Sequence, residues 1–488
     1  MRNKPNVLFI MSDSLFAGDM GIYGNKAGST PNLDALAKRG IVFDSAYCNS
    51  PLCAPSRASM VTGRYVSEIG CLDNANVFSS EVPTMAHVFK RAGYDSDIVG
   101  KMHFVGHDQH HGFDQRLALS EDYSRGYNPG DFCLAYDWKQ PPGPNPIGAD
   151  TMGPSYTTDP RWDSFTSHFD KDEAIHKEAV RYLKEKNASS DPFFCCVSYH
   201  HPHNPFYIPE QIKAKFKNAD LSLPNIPEDM RERYGVLENW LYEFHNQPGA
   251  YEKMVTKESL TWLYETYHGM VYDMDTRAGE LLDILEANGL SENTVIVFTS
   301  DHGEMLAHRG MVQKRCFYER SVRVPLIFHA PGKFQEGKRI AGPVSLIDLL
   351  PTFAGIADVT PPEGLPGRSL MPSLTQGTEP EEAVVFSEFH GEGVHAPCFM
   401  ALRGDYKYIY VHGHEELLYN LKSDPDEFHD LSGDESLKQV KTELKTALFK
   451  QFDPEAIARN ALQSQVGRRY IFESHRAKNE KEVDMYMF

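Results

Sequence analysis

Four predominantly apolar stretches, each followed by polar side chains, stand out in the hydrophobic pattern of the chain. They are residues 7–11, 193–198 and 294–299, and a weaker one over residues 97–100, which begins with Asp97. Runs of this kind are typical of strands that are buried on both faces of a parallel sheet. The polar side chains that follow them are Ser12-Asp13, Lys101-Met102-His103, residues 199–203, and Ser300-Asp301-His302. Because open α/β sheets carry their sites at the carboxyl ends of the strands, we expect a functional site there.

Helical periodicity lies between these runs. Residues 32–39, 85–91, 173–186 and about 259–286 have apolar side chains at helical spacing. In the longest of them, one stripe runs from Leu263 to Leu285, and Asn288-Gly289 closes the helix. Residues 139–154 are rich in Pro and Gly and are predicted to form a loop over the site. Alternating strands and helices predict an α/β sandwich.

The pattern changes towards the C-terminus. A helix is predicted around residues 345–357, and residues 361–367 form a turn-rich linker. Beyond about residue 379 come short β-rich runs at 384–386 and 406–410, and a helical stretch begins at Glu435. We therefore expect a catalytic domain over residues 1–378 and a smaller domain over residues 379–488, made of a small sheet and a helical tail.

Composition and charge exclude several classes of function. The 488 residues carry a formal net charge of −19, so nucleic acid and anionic membranes are poor partners. An anionic substrate would therefore need a local cluster of positive side chains. The sequence has neither a recognisable signal peptide nor an apolar stretch of membrane-spanning length, and its eight cysteines lack disulfide-framework spacing. These features predict a cytoplasmic protein.

The stretch from Cys53 to Arg64 concentrates reactive chemistry. Cys53 precedes Pro55, which suits the first turn of a helix, and Arg57 follows Cys53 by one helical turn on the same face. A helix N-terminus attracts anions through its free N–H groups. A lone cysteine is often only a buried structural residue. Together, however, these features describe a site for a tetrahedral oxyanion.

The motif Cys-x-Pro-Ser-Arg followed by Thr-Gly-Arg resembles the signature of the type I, formylglycine-dependent sulfatases of the alkaline phosphatase superfamily. The resemblance implies that Cys53 is oxidised to formylglycine, an aldehyde, by a formylglycine-generating enzyme or a radical maturase. It also implies the alkaline phosphatase-like fold, in which helices sandwich a large mixed, mostly parallel sheet beside a smaller C-terminal α+β domain.

Two Ser-Asp strand ends suggest a metal site. Asp13 and Asp301 converge if their strands are neighbours, and two carboxylates repel each other unless a cation lies between them. Asp at a strand end can instead cap a helix. The resemblance implies one divalent cation bound by Asp13, Asp301, His302 and the modified Cys53. Many sulfatases have Asp and Asn where this chain has Ser14 and His302, which shifts the expected ion from Ca²⁺ towards Mn²⁺.

The resemblance also implies an anion clamp. Lys101 and Lys314 match sulfate-binding lysines, His103 matches the residue that contacts the hydrated aldehyde, and His201 matches the residue that faces the leaving group. His200 and His203 match no motif position and are predicted to be ordinary loop residues. In this mechanism the aldehyde hydrate attacks sulfur while Arg57, Lys101 and Lys314 stabilise charge. His201 or Lys314 then protonates the leaving alkoxide, and His103 assists sulfate release.

Three functions fit these features. They are a sulfuric ester hydrolase, a phosphonate monoester or phosphodiester hydrolase, and an inactive anion-binding homologue whose Cys53 is never oxidised. Within the first, residues 100–106, 112–113 and 462–469 resemble the choline sulfatases, in which the tail helps to build an oligomer, so a homo-oligomer is expected.

This resemblance makes choline sulfate the leading candidate substrate. Choline would require an aromatic cage with a carboxylate, for which the candidates are Tyr123, Tyr127, Tyr136 and Trp138, with Glu388 or Glu392. Residues 483–488 depart from the ending of choline sulfatases, which leaves aryl, sugar and phosphonate esters open.

Overall fold

The computed structural model describes residues 4–118, 167–187, 189–244 and 254–478, without the side chains of residues 469 and 471–478. The predicted loop over residues 139–154 and the four aromatic residues proposed as a cage lie outside these ranges. The described strands are β1 Asn6–Asp13, β2 Ile41–Phe43, β3 Ala46–Tyr47, β4 Asp95–Gly100, β5 Gln115–Leu117, β6 Phe193–Pro202, β7 Thr294–Ser300, β8 Arg323–Val324, β9 Leu326–His329, β10 Lys338–Ile340, β11 Val344–Ser345, β12 Val385–Phe389, β13 Cys398–Arg403, β14 Tyr406–Val411 and β15 Glu416–Asn420.

The described α-helices include all four that the periodicity predicts. They are α1 Pro31–Arg39, α2 Cys53–Thr62, α3 Val66–Ile69, α4 Met85–Arg91, α5 His168–Glu185, α6 Glu210–Lys213, α7 Val236–Phe244, α8 Lys257–Ala287, α9 Glu319–Val322, α10 Leu349–Ala357, α11 Met371–Gln376, α12 Lys438–Gln451 and α13 Pro454–Lys478. The helix expected at residues 345–357 is split into a short 3₁₀ turn, Leu346–Asp348, and α10.

An eight-stranded sheet forms the centre of the molecule, in the order β10-β2-β9-β7-β1-β6-β4-β5. Strands β7, β1, β6, β4 and β5 are parallel to one another. Strand β9 is antiparallel to both of its neighbours, β7 and β2. The sheet is therefore mixed but mostly parallel, and the four predicted strands are its central members.

Both faces of this sheet are buried, as the continuous apolar runs predict. Along β1, Val7, Phe9 and Met11 belong to one hydrophobic cluster, and Leu8 and Ile10 belong to another on the opposite face. Alternate side chains of a strand point to opposite faces, so helices must cover both. The apolar stripe of α8 packs in the second cluster, and α4 and α10 contribute to the first. The sandwich of helices around a sheet is confirmed.

A separate four-stranded antiparallel sheet, β12-β13-β14-β15, follows near the C-terminus. The sequence analysis identified β12 and β14 but not β13, which reads Cys-Phe-Met-Ala-Leu-Arg, or β15, which reads Glu-Leu-Leu-Tyr-Asn. Helix α12 packs against this sheet through Leu444 and Leu448, which belong to one hydrophobic cluster with it. Tyr65 and Ile347, which precede the small sheet in sequence, belong to the same cluster. The smaller domain is therefore packed on the larger one through a shared apolar interface.

One predicted strand end is wrong. The run at residues 193–198 was expected to end before the histidines, but β6 continues to Pro202 and so contains His200 and His201. The reason is Asp172 of α5, whose carboxylate accepts the backbone N–H groups of both histidines. Buried polar side chains in this strand are thus stabilised by a partner that lies far away in sequence. Among the described residues, no helix is long and apolar enough to cross a membrane.

Candidate active site

Helix α2 places Cys53 at its first residue, as predicted. Every residue of this helix is buried, and Gly63 ends it in the left-handed conformation with φ +65°. A Cβ atom at Gly63 would lie 3.1 Å from the Leu350 Cβ, so the close approach of α10 adds to the need for glycine. The Thr-Gly-Arg part of the motif therefore serves packing, while its start carries the reactive residue.

Two aspartates meet beside Cys53 because their strands are neighbours. Ser12 of β1 is paired with Ser300 of β7, so the residues that follow them, Asp13 and Asp301, leave the sheet side by side. The Cys53 Sγ atom lies 3.1 Å from His302 Nε2 and 3.9 Å from Asp13 Oδ1. One ligand atom from each of these four residues lies within 4.8 Å of the others. The predicted metal ligands are thus brought together.

Two positively charged side chains, Arg57 and Lys101, contact the Oδ2 atoms of these carboxylates. The Arg57 Nε donates to Asp301 Oδ2 at 2.7 Å, and its Nη2 lies 3.2 Å from Asp13 Oδ2. The Lys101 Nζ lies 2.9 Å from the same Asp13 oxygen. Burial raises the pKa of Asp13, but the opposing effect of Lys101, His203, Arg57 and His302 is larger and holds the pKa well below its usual value. Asp13 is therefore ionised and has its Oδ1 directed at Cys53.

The four donors fit a divalent cation. The His302 Nδ1 contacts the Gly303 carbonyl oxygen at 2.9 Å, which fixes Nδ1 as the protonated nitrogen and leaves the Nε2 lone pair for a metal. The buried carboxylate oxygens Asp13 Oδ1 and Asp301 Oδ1 lie 3.7 Å from His302 Nε2. Two anionic oxygens and one nitrogen at such separations suit a metal ion better than they suit one another.

Lys314 lies in a strained turn. Its neighbours Gln313 and Arg315 have φ values of +62° and +79°, which are uncommon for residues other than glycine. The Glu304 carboxylate accepts the Gln313 N–H, and the Arg315 N–H donates to the Pro51 carbonyl oxygen at 3.1 Å. These bonds hold the turn against the start of α2. Backbone strain that the surroundings enforce is typical of functional sites.

The structure brings His203, and not His201, to this lysine. The Lys314 Nζ lies 2.7 Å from His203 Nε2. His203 Nε2 is also 3.9 Å from Asp13 Oδ1. The prediction that His203 is an ordinary loop residue is wrong, because its side chain lies at the carboxylate cluster. In sequence, a His-Pro-His spacing gives no way to choose between its two histidines; the pairing of Pro202 with Asp13 across β6 and β1 decides it.

His201 is placed on the other side of β6. Its Nδ1 contacts Asp273 Oδ2 at 3.0 Å, and its Nε2 has no hydrogen-bond partner among the described residues. His200 contacts Asp172 through Nδ1 at 3.0 Å. Burial raises the pKa of Asp172, but His200 and His201 hold it below its usual value. Burial also raises the pKa of Asp273, but His201 and Arg277 hold it below its usual value. The role of His201 towards a leaving group stays a prediction.

Three further residues of the site were not found by sequence reasoning. Ser198 Oγ accepts a hydrogen bond from Arg57 Nη1 at 2.9 Å, and Asn74 Oδ1 accepts the Ala54 N–H at 3.0 Å. Asp73, next to Asn74, lines a small cavity together with His103, which adopts φ +56°. These polar residues lie in unremarkable loops and strands, so only the fold reveals them.

The comparisons with known proteins agree on one family. A protein-family model described as Sulfatase matches residues 5–359, and a second, described as N-sulphoglucosamine sulphohydrolase, C-terminal, matches residues 307–453. A choline-sulfatase of Rhizobium meliloti is 32% identical over 440 residues, which cover 88% of this chain and 82% of that protein. The N-acetylglucosamine-6-O-sulfatase of Bacteroides thetaiotaomicron is 27% identical, covering 93% and 88% of the two chains.

Solved structures with the same fold cover nearly all of the chain. The phosphonate monoester hydrolase of Agrobacterium radiobacter superposes with a TM-score of 0.72 at 24% identity, covering 92% of this chain and 95% of the other. A protein solved in complex with its substrate D-glucosamine-2-N,6-O-disulfate gives a TM-score of 0.71 at 22% identity, covering 92% and 99%. At these identities the likeness establishes the fold.

Proposed function

The chain belongs to the sulfatase family, and we propose from this premise that it hydrolyses a small organic sulfate ester, with a formylglycine derived from Cys53 as its nucleophile. The observation that carries the proposal is the convergence of Cys53, Arg57 and Lys101 on one buried carboxylate cluster, which Lys314 reaches through His203. We propose Ca²⁺ or Mn²⁺ as the divalent cation, bound by Asp13, Asp301, His302 and the modified residue 53.

The cation, when bound, stabilises negative charge that develops on the transferring group, and the formylglycine hydrate supplies the attacking oxygen. The chain's own residues hold the ester in place. Arg57 is fixed by two carboxylates, and Lys101 is fixed by Asp13, so both positive charges stand in position before the substrate arrives. Positive groups that need no rearrangement stabilise a transition state more effectively than mobile ones.

Proton transfer to the leaving group is assigned to the pair formed by Lys314 and His203. The Lys314 ammonium donates to His203 Nε2 across 2.7 Å, so the two side chains share one transferable proton at the edge of the cluster. His203 in turn contacts the Asn204 carbonyl oxygen through Nδ1, which orients its ring. In this proposal His203 takes the role that the sequence resemblance implies for His201, and His103 remains the proposed residue for sulfate release.

We expect His203→Ala to lower kcat about 100-fold for an alkyl sulfate and much less for 4-nitrophenyl sulfate, because nitrophenolate leaves without protonation. Steady-state kinetics of the converted, metal-loaded chain measure both. The matched control is His201→Ala, which removes a neighbouring buried imidazole that does not contact Lys314. That variant is expected to change the two rates by the same factor. Equal sensitivity of the two esters to His203→Ala would contradict the assigned role.

Turnover of paired esters tests the proposed reaction. The same alcohol is offered as a sulfate monoester and as a phosphonate monoester to the converted chain. A higher kcat/KM for the sulfate is expected from membership of the sulfatase family. Both esters carry a single negative charge, so the comparison tests the preference for sulfur over phosphorus and not for charge. A higher value for the phosphonate assigns the alternative phosphonate monoester or phosphodiester hydrolase activity. If neither ester turns over and mass spectrometry finds unmodified Cys53 in protein made beside a maturase, the chain is an anion-binding homologue.

The two carboxylates considered as partners for a choline cation, Glu388 and Glu392, already have partners within the protein. Glu388 is fully buried and accepts hydrogen bonds from Ser67 and His390. Glu392 forms an ion pair with Arg315, whose Nε lies 3.0 Å from the carboxylate. A quaternary ammonium needs an uncompensated negative group as well as aromatic faces. Both of the carboxylates considered for choline are thus engaged by the protein.

We therefore expect choline sulfate to have a kcat/KM at least about 10-fold below that of an aryl or sugar sulfate, since 1.4 kcal/mol of lost ion pairing has this effect. Competition between the two esters in one reaction measures the ratio directly. Arg315→Gln, which removes the ion pair between Arg315 and Glu392, should move the ratio towards choline. A wild-type preference for choline sulfate would instead show that other side chains supply the cation site.

A further inference from the structure

The cluster at Cys53 has the donor set of a zinc site as long as residue 53 is still a cysteine. Its four ligand atoms are one sulfur, one nitrogen and two oxygens, from Cys53, His302, Asp13 and Asp301, and all four residues are buried. Zn²⁺ prefers this mixture of thiolate, imidazole and carboxylate. Ca²⁺ takes six to eight oxygen ligands, of which these residues provide few.

The separations between donors match a tetrahedral ion. Metal–ligand bonds of about 2.0–2.3 Å place neighbouring donors of a zinc tetrahedron about 3.3–3.8 Å apart. The Cys53 Sγ is 3.1 Å from His302 Nε2 and 3.9 Å from Asp13 Oδ1. His302 Nε2 is 3.7 Å from both Asp13 Oδ1 and Asp301 Oδ1. These measured edges scatter around the tetrahedral value, so small side-chain adjustments would complete the site.

Contacts behind the donors orient them. The bond from His302 Nδ1 to the Gly303 carbonyl oxygen leaves Nε2 as the ligand nitrogen. The outer oxygens, Asp13 Oδ2 and Asp301 Oδ2, are held by Lys101 and Arg57, and both Oδ1 atoms lie near His302 Nε2. Such outer partners typically contribute 10–100-fold to metal affinity. His302 is decisive here, because an amide at this position would offer zinc only a weak oxygen donor.

We propose that the unconverted chain, with Cys53 as a thiol, binds one Zn²⁺ tightly through Cys53, His302, Asp13 and Asp301, and that conversion to formylglycine abolishes this zinc preference. Binding forms a Zn–S bond and releases the thiol proton to solvent, with no change of oxidation state. Conversion replaces the soft sulfur donor by oxygen. A zinc-loaded precursor would thus withhold its thiolate from the oxidation that creates the active enzyme. Zinc binding by the unconverted chain does not depend on the proposed sulfatase activity, whereas the loss of the zinc preference rests on the proposed conversion of Cys53.

Cobalt substitution tests this directly. Full-length chain is produced without a maturase, and intact mass verifies that Cys53 is unmodified. Titration with Co²⁺ is expected to give one equivalent of bound metal, a thiolate-to-cobalt charge-transfer band in the near ultraviolet and visible bands of tetrahedral intensity. Zn²⁺ should displace the cobalt stoichiometrically, whereas Ca²⁺ in large excess should not.

Two cysteine variants are matched for the comparison. Cys53→Ser is expected to remove the charge-transfer band and to weaken Zn²⁺ binding at least about 100-fold, as loss of a soft ligand predicts. Cys398→Ser changes another buried cysteine, in β13 and outside the cluster, and should leave both unchanged. His302→Ala serves as a second variant should Cys53→Ser fold poorly, and it should keep a sulfur band of lower affinity. Unchanged zinc affinity in Cys53→Ser, absence of the band in the unconverted wild type, or a preference for Ca²⁺ would each overturn the proposal.

Discussion

Cys53→Ala is expected to lower turnover of a sulfate ester by at least about 10,000-fold, the scale seen when a covalent nucleophile is removed. Alanine cannot be oxidised to an aldehyde, so no hydrate forms at the position that faces Asp13 and His302. The positive side chains Arg57 and Lys101 stay in place, because their partners are carboxylates and not the thiol. The variant should therefore still bind a sulfate ester, and the loss should lie in kcat.

The measurement pairs initial rates with a binding assay on the same protein. Cys398→Ala is the matched control, because Cys398 is buried in β13 and lies outside the cluster. It should keep wild-type kcat. Circular dichroism and thermal unfolding should show that both variants fold. Turnover by wild-type protein whose Cys53 is unmodified by mass spectrometry would show that the aldehyde is not the nucleophile.

Much of the site could be predicted because the sheet geometry follows from apolar runs. Strands β7, β1, β6 and β4 are consecutive in the sheet; β1, β6 and β7 were visible as apolar stretches, and β4 as a weaker one. Parallel strands in register bring their carboxyl ends together, so Asp13, Lys101 and Asp301 had to meet once the sheet formed. The placement of Arg57 followed from one helical turn after Cys53. These inferences need only local periodicity and one rule of topology.

The remaining features depend on pairings that are distant in sequence. Asp172 lies 28 residues before His200, and its hydrogen bonds to His200 and His201 extend β6 beyond its apolar run. The choice of His203 depends on the bulge where β6 meets β1, between Met11 and Asp13. Glu392 and Arg315 are 77 residues apart and pair across the interface with the smaller domain. No local pattern encodes contacts of this kind.

The domain boundary near residue 379, the homo-oligomer and the cytoplasmic location stay predictions. Helix α13 carries the tail that resembles the choline sulfatases, and here it packs against its own chain. The Arg468 Nη2 lies 2.6 Å from Asp73 Oδ2, and Ser464 Oγ accepts from Asn76 Nδ2 at 3.1 Å. Val466 and Tyr470 on the same helix are exposed. The tail therefore reaches the neighbourhood of Cys53 within one chain, through the segment that contains Asp73 and Asn74.

Asp301→Asn is expected to lower bound divalent metal to well below one equivalent and to lower kcat about 1,000-fold in parallel, because one anionic ligand is lost. Asparagine keeps the shape but turns a charged oxygen into a neutral amide. The change also leaves the buried Arg57 with a single carboxylate partner, so a loss of stability of about 3–5 kcal/mol is expected, as for other broken buried ion pairs. Elemental analysis, kinetics and thermal unfolding on one preparation separate these effects.

Asp275→Asn is the matched control for that variant. Asp275 is another fully buried aspartate, and its carboxylate accepts the backbone N–H groups of Asn32 and Leu33 at the start of α1, away from the cluster. Its replacement should lower thermal stability without changing metal content. If the rate in Asp301→Asn fell only because the fold was weakened, the control would lose rate at a similar loss of stability. Wild-type kcat in protein shown by elemental analysis to hold no divalent metal would refute a catalytic role for the cation at Asp13, Asp301 and His302.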